Sequence, residues 1–329
     1  MIGQTSHIMV KIAVAGGSGQ IASEVVDRLA ATKKHEILII SRKDPAATIE
    51  ERPGVTWART DYTDKAQLTR LLNGIHTVLC YTTPIGESAA AGQKLLIDAA
   101  IAAGVKRFAP NEWSTSSIKE LPWYATKVEV REYLKELNKD KKVIEYTFFQ
   151  NGMMIDYLVP EGTSSKHLKN PELFLDFFRR RAIVIERKEQ DCHFTFTTVD
   201  DLSNVVVRAV EYEGEWPVIG GVQGTTLSMS ELLKIGVKAR GGKPWDITLI
   251  PEDDIRAGNF GNSWIPTMDK EPTMTAEQIE HFSKLVLQSC LLSGLSRDWV
   301  VSDEWNRLLP DYKFIGAEEF LVKHWAGRD

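Results

Sequence analysis

Short apolar runs alternate with amphipathic helical patterns along the first half of the chain, from about residue 9 to residue 150. The runs are rich in β-branched residues, which is typical of buried strands. The predicted strands cover residues 11–16, 36–41, 55–59, 77–81, 106–110 and 145–149. Because strands and helices alternate, the pattern predicts repeated strand-helix-strand units and a parallel sheet.

The helices between these strands have recognisable faces and ends. Between the first two strands, Ile21, Val25 and Leu29 form one apolar stripe, which predicts a helix that covers the sheet. Two later helical patterns are followed by Gly74 and Gly104, and glycine favours the left-handed conformation found after many helix ends. The predicted fold class is therefore α/β, with a doubly wound parallel sheet of the Rossmann type.

After residue 152 the alternation becomes less regular. We therefore predict a dinucleotide-binding domain over residues 1–152 and a smaller C-terminal lobe, mainly for substrate binding, over residues 153–329. Segment 194–212 is expected to return to the first domain, with its strand joining the main sheet. Two potential capping boxes, Ser228 with Glu231 and Thr275 with Gln278, predict helix starts in the lobe.

A glycine-rich turn connects the first strand to the first helix, in the sequence AVAGGSGQIASEVVDRL (13–29). Gly16 permits a tight turn, Gly19 lets the main chain approach a pyrophosphate, and Ala22 allows close packing of helix and strand. The helix N-terminus adds free N–H groups and partial positive charge. The candidate cofactor contacts are Gly16, Ser18, Gly19, Gln20 and Ile21. An ordinary glycine turn is the alternative interpretation.

The end of the second strand indicates which dinucleotide is preferred. NAD-dependent proteins usually carry an acidic residue here, whereas this chain has Ser41, Arg42 and Lys43. A guanidinium can form paired hydrogen bonds to a phosphate, so Arg42 with Lys43 predicts NADP(H) as the cofactor. Asp61, after the third strand, is a candidate adenine or ribose contact. A solvated basic turn and a solvated loop acid are the alternatives.

Residues 125–137 read as a helix whose inward stripe includes Val130 and Leu134. Lys127 lies on this stripe, and Tyr124 lies one turn before it. Burial lowers the pKa of a lysine towards the range useful for proton transfer, so Lys127 and Tyr124 are candidate catalytic residues. Lys127 is also a candidate cofactor contact, as an anchor for the nicotinamide ribose. The alternative is a lysine whose stem packs while its ammonium stays in water.

Composition narrows the classes of protein. With 43% hydrophobic and 26% charged residues, the chain is of ordinary globular type, and a net charge of −5 gives no broad basic field for nucleic acid. Three cysteines are too few and too scattered for a disulfide framework or a zinc cluster, so no metal is expected. No apolar run approaches the roughly 20 residues of a membrane helix. We expect a cytoplasmic monomer or homodimer that binds a small-molecule substrate.

These residues resemble the NmrA-like and isoflavone reductase-like group of atypical short-chain dehydrogenases/reductases, along nearly the whole chain. The resemblance is carried by GGSGQIA (16–22), ISR (40–42), AGVKRFAPNEW (103–113), YATKVEVREYL (124–134), FFQNGMMIDYL (148–158) and TTVDDLSNVV (197–206). It implies that Lys127 is catalytic and that NADPH delivers a hydride to an aromatic, phenolic or polyketide-type molecule. Typical members of the wider superfamily space tyrosine and lysine as YxxxK, so the spacing of Tyr124 and Lys127 departs from that pattern.

The resemblance also implies which residues border the nicotinamide end of the cofactor. They are Thr82, Thr83 and Pro84 after the fourth strand, and the turn that contains Gln150 and Gly152. Four residues are candidates for an apolar substrate pocket, with ordinary core packing as the alternative: Met153, Met154, Tyr157 and Trp264.

The sequence thus predicts an NADPH-dependent reductase and leaves two other functions open. A C=O, C=C or C=N bond would serve equally as the reduced group, because each needs a proton-handling residue. One alternative is a non-catalytic redox sensor of the NmrA-like type. The other is an isomerase or cyclase that binds the cofactor without net redox change. An inward-facing Lys127 argues against the sensor.

Overall fold

A six-stranded parallel sheet forms the centre of the N-terminal half in the computed structural model, which describes residues 9–43, 52–83, 86, 88–267 and 275–328. The strand order is β3-β2-β1-β4-β5-β6, the order of a dinucleotide-binding Rossmann sheet. The strands are β1 (Lys11–Ala15), β2 (Glu36–Ser41), β3 (Val55–Arg59), β4 (Thr77–Cys80), β5 (Arg107–Ala109) and β6 (Glu145–Tyr146). The predicted fold class is confirmed.

Helices cover both faces of this sheet. They are α1 (Gln20–Ala31), α2 (Lys65–Leu71), α3 (Ala89–Ala102), α4 (Ala125–Leu137) and α5 (Val199–Glu211). Successive residues of β1 point to opposite faces, so Ile12 and Val14 pack in the core with α1 and α5, while Ala13 and Ala15 pack in the core with α2, α3 and α4.

The C-terminal half contains smaller sheets and a third core. The further strands are β7 (Phe148–Gln150), β8 (Met153–Met154), β9 (Leu175–Asp176), β10 (Arg181–Ile185), β11 (His193–Thr197), β12 (Ile219–Gly221), β13 (Thr225–Ser228) and β14 (Asp246–Ile250). The further helices are α6 (Met229–Ala239), α7 (Glu252–Arg256), α8 (Ala276–Leu295), α9 (Glu304–Leu308) and α10 (Ala317–Trp325), with short 3-10 helices at Pro122–Tyr124 and Ile155–Leu158. Within the described ranges, none of the helices has both the length and the apolar character needed to span a membrane.

Several helix ends follow from local sequence alone. Ser228 with Glu231 and Thr275 with Gln278 form both hydrogen bonds of a capping box, at the starts of α6 and α8. Gly74 and Gly104 have φ values of 75° and 77°, as expected for residues that end helices. These predictions are confirmed.

Two strand predictions need correction. The predicted strand 145–149 is interrupted at Thr147, because β6 pairs with β5 whereas β7 pairs with β12 from much later in the chain. The strand of segment 194–212 pairs with β8 and β13, outside the six-stranded sheet, since Phe194 and Phe196 are buried in the C-terminal core. The helix of the same segment, α5, packs against α1, and Arg28 forms an ion pair with Asp200 there. The division near residue 152 stays a prediction.

Candidate active site

The glycine turn after β1 has a conformation that only glycine accommodates. Gly16 has a φ of 73°, and a Cβ on it would lie 2.7 Å from the main-chain carbonyl carbon of Tyr81. Its N–H donates to the Ile40 carbonyl at 2.8 Å and to the Tyr62 hydroxyl at 2.8 Å. The Gly19 N–H donates to the Gly16 carbonyl at 2.9 Å, which closes the turn just before α1. The main chain is therefore exposed to a ligand without an intervening side chain.

A cleft of about 310 Å³ opens at this turn, along the carboxyl ends of β1, β2 and β4. It brings together eight of the predicted cofactor contacts: Gly16, Ser18, Gly19, Arg42, Lys43, Asp61, Thr82 and Thr83. Other described residues that line the cleft were not predicted from the sequence as cofactor contacts: Ser41, Tyr62, Tyr81, Ser88, Ala89, Gly92 and Gln93.

The basic residues lie at the rim of this cleft. Arg42 and Lys43 are both exposed and follow directly after β2. The Ser41 hydroxyl hydrogen-bonds to the Ser18 hydroxyl at 2.9 Å and accepts from the Lys43 N–H at 3.2 Å, which holds this strand end against the glycine turn. The cleft thus combines a main-chain cradle for a pyrophosphate with two cations for a further phosphate, and its residues fit NADP(H).

Asp61 lines the cleft and also stabilises a turn. Its carboxylate accepts hydrogen bonds from the Thr63 hydroxyl at 2.6 Å and the Thr63 N–H at 3.0 Å. These bonds lower the pKa of Asp61, so the carboxylate stays ionised at neutral pH. If Asp61 contacts the cofactor, it does so while its carboxylate also holds the turn at Thr63 in place.

Two other predicted contacts near the turn, Gln20 and Ile21, are not among the described residues that line the cleft. The Gln20 side chain accepts from the Lys169 N–H at 3.0 Å, although the Gln20 main-chain N–H is in the first turn of α1, where helices leave donors free. Ile21 packs against the apolar core beside α1. Pro84 lies outside the described residues.

Lys127 is buried on the inward face of α4, with 2% of its surface exposed. Its Nζ donates to the Glu112 carbonyl at 2.7 Å and lies 3.9 Å from the centre of the Tyr124 ring. Burial lowers the pKa of Lys127 to about 8, because the charged form loses hydration. The predicted inward position is confirmed, and the proton-handling role stays a prediction.

Tyr124 presents its ring, rather than its hydroxyl, to Lys127. The hydroxyl interacts with Ser114, and burial raises the pKa of Tyr124. A cation over an aromatic face is stabilised electrostatically, so Tyr124 favours the ammonium form of Lys127. This arrangement differs from direct proton exchange between tyrosine and lysine.

Asn111 and Glu112, in the segment that follows β5, connect Lys127 to the cleft. This connection was not predicted from the sequence. The Asn111 side chain donates to the Thr82 carbonyl, and its N–H donates to the Gln93 side chain at 2.7 Å. Thr82 and Gln93 line the cleft, and the next residue, Glu112, accepts from Lys127. Asn111 and Glu112 follow the carboxyl end of β5, and ligands bind at the carboxyl ends of neighbouring parallel strands. Their position in the sequence could therefore have indicated this connection.

The turn at Gln150 and Gly152 lies behind the same segment. The Asn151 and Gly152 N–H groups donate to the Ser114 carbonyl at 3.1 and 2.9 Å. Gly152 has a φ of 69°, and a Cβ there would lie 2.2 Å from the Thr195 carbonyl oxygen. Gln150 is buried, and its side-chain nitrogen has no hydrogen-bond partner among the described residues. This turn is therefore bonded to Ser114, two residues after Glu112, and it is not among the described residues that line the cleft.

The four predicted substrate contacts separate into two pairs. Met153 and Met154 are only 5% and 2% exposed and belong to apolar cores, which favours the alternative of ordinary core packing. Their burial follows from the pairing of β8 with β11. Tyr157 and Trp264 line a second cavity of about 480 Å³. Its other walls come from Glu161, Asn170, Pro171, Glu172, Leu173, Leu175, Asp176, Phe178, Arg179 and Arg181.

The Rossmann sheet, the glycine turn and the basic strand end together define a dinucleotide-binding protein. The chain belongs to the NmrA-like family, whose family model matches residues 9–321. The oxidoreductase BOA1 of Botryotinia fuckeliana is 28% identical over 239 residues, which cover 71% of this chain and 77% of that protein. The resemblance deduced from the motifs is therefore confirmed at the level of the family.

Solved structures share the fold. The NADPH-dependent quinone oxidoreductase QOR2 of Escherichia coli, complexed with NADPH, has a TM-score of 0.67 and 20% identity, covering 95% of this chain and 99% of that one. An isoflavone reductase has a TM-score of 0.69 and 16% identity, covering 96% and 99%. These likenesses extend over nearly the whole of each chain and show that the fold is shared.

Proposed function

We propose that this protein is an NADPH-dependent reductase of a small aromatic, phenolic or polyketide-type molecule, with Lys127 as the proton donor or relay. The observation that carries the proposal is the buried ammonium of Lys127, joined through Glu112 and Asn111 to the wall of a cleft that fits NADP(H). A reductase needs these two elements side by side, because hydride addition leaves negative charge on the substrate.

The cleft residues divide the cofactor between them. Gly16, Ser18 and Gly19, with the first turn of α1, would hold the pyrophosphate, and Arg42 with Lys43 would hold the 2′-phosphate. When bound, NADPH supplies the hydride. The described residues at the end of β2 are Ser41, Arg42 and Lys43. None of them carries a carboxylate that would repel the 2′-phosphate.

Lys127 meets the requirements for a proton donor near neutral pH. With a pKa of about 8, it is mainly protonated at pH 7 and still releases its proton readily. The Glu112 carbonyl and the Tyr124 ring fix its ammonium in place. Fixed charge of this kind stabilises a developing oxyanion or carbanion without reorganisation.

The cavity around Tyr157 and Trp264 is the proposed substrate site. Tyr157, in the cavity wall, lies near Tyr124, the residue whose ring covers Lys127. The cavity wall combines the rings of Tyr157, Phe178 and Trp264 with charged and polar side chains. The rings support a flat aromatic substrate, and the polar groups suit one that carries hydroxyl or carbonyl oxygens.

The test follows NADPH oxidation with a panel of quinones, phenolic ketones and polyketide ketones. For Lys127→Met, we expect kcat to fall by about 10²- to 10⁴-fold. Lys135→Met is the matched control, because Lys135 lies on the same helix with 75% of its side chain exposed, and it should retain full activity. Tight NADPH binding with no turnover of any substrate, and no change in Lys127→Met, would favour the sensor function instead. An unchanged kcat in Lys127→Met would remove Lys127 from the mechanism.

A further inference from the structure

A buried ion pair lies directly beside Lys127. Arg131 donates from Nε to one carboxylate oxygen of Glu112 at 2.9 Å and from Nη2 to the other at 2.6 Å. The Glu112 side chain is 1% exposed and that of Arg131 is 20% exposed. The pair is bidentate and largely desolvated, which is the geometry in which such pairs are strongly directional.

The same glutamate is held by Lys127 from the opposite side. The Lys127 ammonium binds the main-chain carbonyl of Glu112, while Arg131, one turn further along α4, binds its carboxylate. Arg131 also donates to the Ser116 carbonyl at 3.4 Å. Residues 112–116 are therefore fastened to α4 at several points, and Glu112, whose carbonyl accepts the Lys127 hydrogen bond, is also bound by Arg131.

We infer that Glu112 and Arg131 are positioning residues for Lys127, and that their opposite charges together set the charge state of its ammonium. The inference rests on the proposed proton transfer by Lys127. Neither residue is among the described residues that line the cofactor cleft.

The charges of Glu112 and Arg131 act on the pKa of Lys127 in opposite directions. Its pKa is lowered by burial, raised by the Glu112 carboxylate and lowered by the Arg131 guanidinium. Among the described residues, Tyr124 is a further polar neighbour, and its own surroundings include Ser114, Cys290 and Tyr157. Since the two charges of the ion pair oppose each other, removing either one should move the pKa of Lys127 in a different direction.

The experiment measures the titration of Lys127 directly. The full chain is labelled with ¹³C at the lysine Cε, and the Lys127 signal is assigned by its absence in Lys127→Met. We expect the titration midpoint to rise in Arg131→Met, where only the carboxylate remains, and to fall in Glu112→Gln, where only the guanidinium remains. The double variant Glu112→Gln with Arg131→Met should lie between the two single variants. Midpoints that do not move, or that move in the same direction, would overturn the inference.

Two further variants separate charge from structure. Glu132→Gln removes an exposed carboxylate from the same helix and should leave the midpoint unchanged, because Glu132 is 67% exposed and screened by water. Arg131→Lys keeps the charge but loses the fork, so its midpoint should stay nearer to that of the unaltered protein than that of Arg131→Met. If Glu112→Gln fails to fold, the ordering of Arg131→Met and Arg131→Lys relative to the unaltered protein still decides the outcome: a midpoint that does not rise in Arg131→Met would overturn the inference.

The pH profile of turnover distinguishes the inference from the proposed function. With Lys127 intact, the profile of each variant should shift in the same direction as its NMR midpoint. Retained turnover in Lys127→Met would refute the proposed proton transfer and leave the NMR result as a test of the electrostatic balance. Loss of turnover in Lys127→Met with unmoved midpoints in the pair variants would refute the inference alone.

Discussion

The Tyr62 hydroxyl lies between Gly16 and β2, accepting from the Gly16 N–H at 2.8 Å and donating to the Ile40 carbonyl at 2.8 Å. Tyr62 is buried and has a φ of 65°, an uncommon conformation for a bulky residue. Burial also raises its pKa, so the hydroxyl keeps its proton and can donate. A residue from beyond β3 therefore holds the cofactor turn in shape.

Tyr62→Phe should weaken NADPH binding and lower the free energy of unfolding. Loss of the hydroxyl removes one bond to each of two buried main-chain groups, which we expect to cost about 1 to 2 kcal/mol in stability. Calorimetry of NADPH binding and urea denaturation measure the two effects. Tyr133→Phe is the control, because its hydroxyl binds Asp98 away from the turn, and it should leave NADPH affinity unchanged. Equal affinities in all three proteins would contradict the role given to Tyr62.

Arg42→Ala should reduce the preference for NADPH over NADH. A charge-assisted bond to a phosphate contributes about 1.5 to 3 kcal/mol, so the ratio of the two dissociation constants should change by roughly tenfold or more. Arg187→Ala removes an arginine that is 89% exposed on the C-terminal half and should leave the ratio unchanged. Calorimetric titration with each dinucleotide gives the ratio. An identical ratio in Arg42→Ala would assign phosphate recognition to another residue.

Features that depend on residues close together in the sequence could be predicted, whereas contacts between distant residues could not. The glycine turn, the helix over residues 125–137 and the capping boxes at Ser228 and Thr275 depend on neighbours a few residues away, and all were predicted. The contact of Tyr62 with Gly16 spans 46 residues, and no local pattern encodes it. The ion pair of Glu112 with Arg131 likewise depends on how β5 and α4 meet.

Whether a short apolar segment lies in the core or in a pocket was harder to predict from the sequence than the positions of the helices. Met153 and Met154 follow a strand and read equally well as pocket or core, because apolar residues serve both environments. Their environment is decided by β11, which begins about 40 residues later and covers them by pairing with β8. The break at Thr147 has a similar cause, since β12 pairs with β7 from a distant part of the sequence.

Lys127 should make stability depend on pH at alkaline values. The ordinary lysine pKa of 10.5 applies to the unfolded chain, whereas that of folded Lys127 is about 8. Between these values the unfolded chain binds more protons, so this residue makes the free energy of unfolding rise with pH, by up to roughly 3 kcal/mol across the window. Below about pH 8 both states are protonated, and the residue contributes no pH dependence.

Urea denaturation of the unaltered protein and of Lys127→Met, at several values from pH 7 to pH 10.5, isolates this contribution. The difference in unfolding free energy should move in favour of the unaltered protein as the pH rises above 8, because other titrating groups are common to both. Lys135→Met serves again as the exposed control and should show no such change relative to the unaltered protein. A constant difference for Lys127→Met would mean that Lys127 titrates as an ordinary lysine.

Trp264→Ala should raise KM for the substrate without changing NADPH affinity. The Trp264 ring lines the second cavity, and the Arg181 guanidinium lies 3.9 Å from its centre, held there by an ion pair with Asp176 at 2.9 Å. An aromatic contact with a flat substrate contributes about 0.5 to 1.5 kcal/mol, so KM should rise about two- to tenfold while kcat changes little. Trp245→Ala is the matched control, because Trp245 packs against the same core through Phe177 but does not line the cavity. If both variants raise KM equally, the effect comes from lost packing and the substrate site lies elsewhere. A rise confined to Trp264→Ala would place the substrate in this cavity, against the Trp264 ring.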